Sequence, residues 1–259
     1  MKPNSRPLLI LAIVLGLCSL SRAQDSADSF HWTGKLAANQ LVQIKNISGA
    51  IDAEGVPGDT VDVSAVKSGP DRDQVRVEVV QTGEGVTICA VYPGSTCDGG
   101  GRSHGNIKAK VDFTVRVPRN LRFSASNVNG RIRAEDMGRA LKVTTVNGGI
   151  EASSSSWVSA TSVNGAVRVS MGSADWDGKL KITTVNGSIV LDMPADLNAE
   201  VSFSSVNGSL SSDFPLTMQG GAINHGPKRL RGTIGNGGRE LEVSTVNGSL
   251  EIHKGKAGL

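Results

Sequence analysis

Histidine is the side chain best suited to metal binding and proton transfer near neutral pH, and this chain of 259 residues has four of them, His31, His104, His225 and His253. None stands three or four residues from another histidine or from a cysteine, so the ligand spacing of a zinc site is missing. Serines are abundant, yet no G-x-S-x-G elbow marks one as a nucleophile. Asp175, Asp177 and Asp192 are the carboxylates that could serve glycoside hydrolysis, provided that two of them face one groove at roughly 5–10 Å. Asp175 and Asp177 fall in a return loop, where turning and solvating the chain is the simpler role. Cys89 and Cys97 bracket a Pro-Gly turn, and in an oxidising compartment they are expected to pair. Closing so short a loop restrains the unfolded chain by roughly 2–3 kcal/mol. Two thiolates with no second pair make a poor metal site, and redox catalysis wants closer spacing. The sequence therefore assigns no catalytic residue, no cofactor-binding residue and no metal ligand.

Two further groups could bind rather than react. Trp157 and Trp176 lie in or beside return loops. They either fold over neighbouring apolar rows or stand exposed as stacking platforms for sugars, and covering is the stronger expectation. The other group is a row of Asn-Gly pairs: Asn129-Gly130, Asn147-Gly148, Asn164-Gly165, Asn186-Gly187, Asn207-Gly208 and Asn247-Gly248. Asn and Gly tolerate positive φ at a corner, and stacked Asn side chains can hydrogen-bond from one repeat to the next. A structural role is expected for this row ahead of a ligand surface. The acidic spacing of calcium-binding repeats is absent.

The elements that must hold these corners can be read from the phrase V-N-G. Five residues before each valine stand Phe123, Leu141, Val158, Leu180, Val201 and Leu241; three before stand Ala125, Val143, Ala160, Ile182, Phe203 and Val243. Two residues after each glycine come Ile132, Ile150, Val167, Ile189, Leu210 and Leu250. Alternation of period two on both sides of Asn-Gly means strand, corner, strand. A hairpin meander and a solenoid both fit. Intervals of 18, 17, 22 and 21 residues favour the solenoid, whose coils of ~20 residues stack to share one interior. The last interval, of 40 residues, has room for one degenerate copy.

Upstream, residues 24–39 read as a polar tether followed by a cap carrying Phe30, Trp32 and Leu36. Residues 42–53 fit the repeat register with Ile47-Ser48-Gly49 in place of V-N-G. Further alternating strands are expected near 61–66, 74–81, 85–91 and 107–117, with a glycine-rich loop at 97–106. This gives a solenoid domain over 40–254, less regular over 40–117 and regular over 118–254, and a frayed tail at 255–259. No long amphipathic helix is foreseen, and few ordinary enzymes are built without one.

Residues 1–23 carry the marks of a secretory signal peptide: Lys2 and Arg6, the apolar run 8–17, and Ser21-Arg22-Ala23 before a cut at Gln24. The leader takes three of the 27 Lys and Arg and none of the 24 Asp and Glu, so the mature chain is formally neutral at 24 of each. The basic pI of the full chain is partly the leader's and is no sign of nucleic-acid affinity. No other stretch is apolar and long enough to cross a membrane. Aromatic residues are few and glycines number 32, which suits a thin aliphatic core beneath many corners.

Thr114-Val115-Arg116-Val117-Pro118, then Leu121-Arg122-Phe123, then Val128-Asn129-Gly130-Arg131-Ile132 resembles the bacterial family of exported "putative adhesin" domains of unknown function, of the DUF4097 type. The closing Gly235-Asn236-Gly237-Gly238, Leu241 and the phrase from Thr245 to Leu250 are similar to that family's ending. The resemblance runs over roughly residues 40–253. It implies an all-β solenoid attached to or exported into a cell envelope, and it carries over no catalytic residue. The function expected is a non-enzymatic envelope interaction or adhesion module, with an unknown envelope protein or glycan as partner. A polysaccharide-active β-helix enzyme and a purely structural assembly protein are the alternatives, and oligomeric state is left open.

Overall fold

The computed structural model describes residues 24–26, 28–97, 106–218 and 228–255. The expected leader, His104, His225 and most of the glycine-rich loop lie outside them. The described chain is all-β but for one short 3-10 turn at Arg72–Gln74, and its strands form two eleven-stranded sheets packed face to face. Each V-N-G corner carries the chain from one sheet to the other, so every coil holds two strands. The upstream sheet takes the strands before the corners, such as Leu141–Thr144, Val158–Thr161 and Lys179–Thr183; the downstream sheet takes those after them, such as Ile150–Ser154, Val167–Met171 and Ile189–Met193.

Period-two alternation places the aliphatic rows between the sheets. Of the eighteen register positions, seventeen are buried. The exception is Leu210, half-buried on the short edge strand Leu210–Ser212. Pairing within the stack is parallel and keeps the aliphatic rows opposed, with one register shift between Ala134 and Met137: Leu141 opposes Phe123 and Val158, and Ile150 opposes Ile132 and Val167. The Ile47-Ser48-Gly49 coil joins as foreseen, with Leu41–Lys45 beside Arg122–Ser126 and Ile51–Val56 beside Ile132–Met137.

Spatial order departs from sequence order at the far end. The last coil of the chain, Arg239–Ser244 with Leu250–Lys254, lies between the coil holding Lys179–Thr183 and the coil holding Ala199–Ser205. Ala199–Ser205 is held on its other side by the antiparallel strand Lys228–Ile234. The described part of the 40-residue interval thus supplies a covering strand where a degenerate parallel coil was expected. The near end closes similarly. Arg76–Thr82 pairs antiparallel with Gly85–Val91, and Ser29–Lys35 pairs antiparallel with Thr60–Ser68. The expected polar tether is itself partly strand, Gln24–Ser26 pairing with Ser29–His31. Phe30 and Trp32 are buried in this outer layer. Antiparallel strands cover both ends of the upstream sheet and the near end of the downstream one, shielding backbone that open coils would otherwise offer to other chains, while the far edge of the downstream sheet is the short strand Leu210–Ser212.

Candidate functional site: corners, faces and the disulfide loop

The corners are joined by three ladders. Along the backbone, the Asn N–H donates to the Val carbonyl of the preceding coil, as Asn164 to Val146 at 2.7 Å (to Ile47 in the case of Asn129), and the Gly N–H of every coil but the last in the stack donates to the Asn carbonyl of the next, as Gly148 to Asn164 at 2.9 Å. The Asn side chains form a second ladder. Asn147 Nδ2 donates to Asn129 Oδ1, Asn164 to Asn147, Asn186 to Asn164, Asn247 to Asn186 and Asn207 to Asn247, all at 2.8 Å. The third ladder is buried. The residue before each valine turns inward and bonds a glycine carbonyl of the neighbouring coil: Thr145 to Gly130, Ser162 to Gly148, Thr184 to Gly165 and Thr245 to Gly187, at 2.9–3.2 Å. Asn127 does the same to Gly49 at 2.7 Å. The repeat register written around the aliphatic rows passed over these buried groups, although extending period two by one step places them inward.

The role foreseen for the corner residues needs one correction. None of the six corner Asn has positive φ, and of the six corner glycines only Gly130 and Gly187 do, at 147° and 159°. Close approach is what requires glycine here. A Cβ on Gly148 would lie 2.1 Å from the Gly130 carbonyl oxygen, on Gly165 2.1 Å from that of Gly148, and on Gly248 1.9 Å from that of Gly187. Glycine lets each coil sit directly on the previous corner.

Cys89 and Cys97 form a disulfide. Their loop leaves the end of Gly85–Val91, where a corner would stand in the outermost coil of this kind. Beside it Tyr92 is buried, its hydroxyl donating toward the Ala109 carbonyl at 3.3 Å. Burial pushes the Tyr92 phenol up to about 12, with a backbone hydrogen bond at Ser48 opposing it.

The tryptophan platform is overturned for Trp176. It is 1% exposed, its indole N–H donates to the Glu240 carbonyl at 3.1 Å, and Arg239 Nε donates back to the Trp176 carbonyl at 2.8 Å. Trp157 is half-buried and packs on the core. Both rings cover the return edge of the stack. The carboxylates considered for hydrolysis are dispersed. Asp175 and Asp177 are exposed on the return connection, Asp175 accepting from Ser156 Oγ at 3.2 Å, while Asp192 stands on the downstream face in register with His253. Among the described residues no group of three or more His, Cys, Asp or Glu is placed to hold a metal ion.

Among the described residues, hollows open on both sheet faces, and a third of about 220 Å³ lies at the return edge between Arg119, Asp136 and Ser153. On the upstream face a hollow of about 250 Å³ is lined by Lys179, Glu200, Arg231, Glu240 and Glu242. Its charges largely satisfy one another: Lys179 Nζ lies 3.1 Å from Glu240 and 3.3 Å from Glu242, and those bonds hold the ammonium above its usual range. On the downstream face a trough of about 470 Å³ crosses four strands. Small residues just past the corners, Gly149, Ala166 and Ser188, form its floor, and Arg131, Arg133, Glu151, Arg168 and Val190 stand around it. Cross-strand register lays out the row Asp52, Arg133, Glu151, Arg168, Val190, Glu251. Arg131 pairs with Asp52 at 3.0 Å and Arg133 with Glu135 at 2.9 Å, whereas Arg168 makes no ion pair among the described residues.

No helix among the described residues is long and apolar enough to cross a membrane. Residues 33–253 match the family model described as Toastrack DUF4097. Among solved structures the chain is similar to a "putative cell adhesion protein" from Clostridium sporogenes, at 9% identity and a TM-score of 0.50, over 90% of this chain and all of that one. It also aligns with a "putative adhesin" from Bacteroides fragilis at 13% identity and a TM-score of 0.39, over 88% of this chain and 98% of that one. No curated protein matches. Identities this low speak to fold alone, and the first of these structures supports the two-sheet stack. By the match over residues 33–253, the chain belongs to the Toastrack DUF4097 family.

Proposed function

We propose that this protein is an exported, non-enzymatic adhesion or interaction module of a cell envelope, which holds its partner on the open face of the downstream sheet. The observation that carries this reading is the trough over Gly149, Ala166 and Ser188, with the uncommitted guanidinium of Arg168 at its rim. A parallel stack bonded coil to coil is a rigid plate. It can present a row of charged and small side chains at fixed spacing without paying to order them on contact. Guanidinium groups favour planar acceptors such as carboxylates, so an acidic envelope glycan or an acidic protein segment suits the trough. The Cys89–Cys97 disulfide and the leader read at residues 1–23 support export, since disulfides persist in oxidising compartments.

The test is binding of the purified protein to envelope fractions and to a glycan array, with an Arg133→Glu, Arg168→Glu variant alongside. Binding by the parent and a loss of at least about tenfold in the variant are expected, the scale on which one or two charge-assisted contacts act. Equal binding by both would move the contact away from the trough. No binding to any envelope component would remove the adhesion reading. Amino-terminal sequencing of the exported protein should begin at Gln24.

A further inference from the structure

The corner edge carries a second feature that the trough does not use. Seven large aliphatic side chains are strongly exposed among the described residues, and five of them are the corner valines Val128, Val146, Val185, Val246 and Val206, at 37–46%. Val163, half-buried, completes the row. Because the last coil of the chain slots in before the Val206 coil, the six stand in unbroken spatial order: Val128, Val146, Val163, Val185, Val246, Val206. At strand spacing the row is ~24 Å long. Beside it runs the Asn ladder, and neither row contains a charge. Each of the four interior Asn spends one N–H and one lone pair within the ladder, while Asn129 only accepts and Asn207 only donates, so every one keeps at least one donor and one acceptor outside it.

We propose that this corner ridge is a self-association surface, on which two copies of the chain pair ridge to ridge and antiparallel. A second copy offers aliphatic groups at the same ~4.8 Å spacing, together with amides whose free donors and acceptors match. A helical partner repeats at 5.4 Å per turn and drifts out of step within a few coils. Two observations select the antiparallel sense. Every Asn Nδ2 donates toward the Asn129 end, so opposed ladders set their amide dipoles against each other favourably. The residues that follow the glycines are Arg131, Gly149, Ala166, Ser188, Ser249 and Ser209 in spatial order, with a single charge at one end. Parallel pairing would bring Arg131 against its own copy, while antiparallel pairing separates the two by the length of the ridge. A ridge this narrow covers less than the ~800 Å² per partner of a standard interface, so the dimer is weak and concentration-dependent.

Sedimentation equilibrium up to about 1 mM, the range in which small interfaces associate, should show a monomer–dimer equilibrium. A Val146→Lys, Val185→Lys variant should melt like the parent, because both side chains point outward, and should raise the dissociation constant at least about tenfold. Single cysteines give the register. In the antiparallel pair Val163 lies near the two-fold axis and Val128 lies at the end, so mild oxidation should cross-link Val163→Cys above the parent background and leave Val128→Cys monomeric. A parent that stays monomeric at 1 mM, a lysine variant that associates as the parent does, or equal cross-linking at both positions would overturn the proposal.

Discussion

The two edges of the stack connect the same coils by different means. At the corner edge the six V-N-G crossings share the same three residues, the same backbone pairing and the same glycine-to-carbonyl contact, from Gly130 on Gly49 to Gly208 on Gly248. At the return edge no two connections are alike. Ser154 Oγ bonds the carbonyls of Met137 and Arg139 in one, while Trp176 fills another and Asp213 reaches His253 and the Lys254 amide in a third. The corner edge works by repetition, so a fault in one coil is passed to its neighbours. The return edge works by individual side chains, and each fault stays local.

A methyl group placed at two adjacent glycines separates these modes most sharply. Gly148→Ala puts a Cβ against the backbone of the preceding coil, 2.1 Å from the Gly130 oxygen and 2.5 Å from its carbon. Backbone cannot rotate away as a side chain can, so the coils must part. A loss above about 4 kcal/mol is expected, in the exceptional class of substitution. Gly149→Ala, one residue on, meets only the Ala166 oxygen at 3.4 Å and should change stability by no more than about 0.5 kcal/mol. Urea midpoints of the pair make the comparison, and equal midpoints would refute the close-approach account.

On the return edge the largest effect belongs to Trp176→Ala. Removing a fully buried indole costs about 3–5 kcal/mol, and it also strips the Glu240 carbonyl of its donor. Hydrogen exchange should show the damage confined to Lys179–Thr183 and Arg239–Ser244, with Arg122–Ser126 unaffected. Loss of protection spread over the whole stack would erase the distinction between the edges.

Thr184→Val probes the buried ladder at nearly constant volume. It leaves the Gly165 carbonyl without the hydroxyl now 2.9 Å away, and a buried acceptor so stranded costs about 1–3 kcal/mol. Thr184→Ser keeps the bond and should lose less. The two denaturation midpoints decide whether the hydrogen bond or the methyl group matters more.

The same contrast explains what could be read from the sequence. The aliphatic rows at positions such as Val143, Ile182 and Val243, the strand–corner–strand unit and the family were legible because repetition prints one physical demand many times. The inward polar residue before each valine was equally repeated, but a serine or threonine inside a strand draws attention only when its partner is known, and the partner is another coil's carbonyl. The spatial order was hidden for a different reason. Coils with identical ladders can stack on one another in any order, so nothing local tells Leu241 to settle between Leu180 and Val201. That Trp176 covers the core was the stronger expectation, but its Glu240 partner and the trough were unreadable because they depend on which coils end up adjacent. The trough floor of Gly149, Ala166 and Ser188 exists only once three corners are in line.

The smallest expected effect lies at the return edge of the last coil. His253 Nδ1 stands 3.3 Å from Asp213 Oδ2, and Nε2 stands 3.5 Å from Glu251. The hydrogen bond to Asp213 holds the imidazole above its ordinary 6.5 against the opposing desolvation, aided by the charge of Asp213, by Glu251 and by the charge of Asp192. A group whose folded-state pKa is raised stabilises the protein in its protonated form. The contribution is complete below the unfolded value near 6.5 and disappears as pH climbs through the higher folded value. The contacts are solvent-exposed, so the change should be slight and weakened by salt. An imidazole titration followed by NMR should place the His253 midpoint above 6.5 in the parent and lower in Asp213→Asn, and the melting temperature of that variant should respond less to pH in the window above 6.5 than that of the parent. A midpoint unmoved by Asp213→Asn would show that this return connection is held by the Asp213 bond to the Lys254 amide, leaving the ring as a bystander.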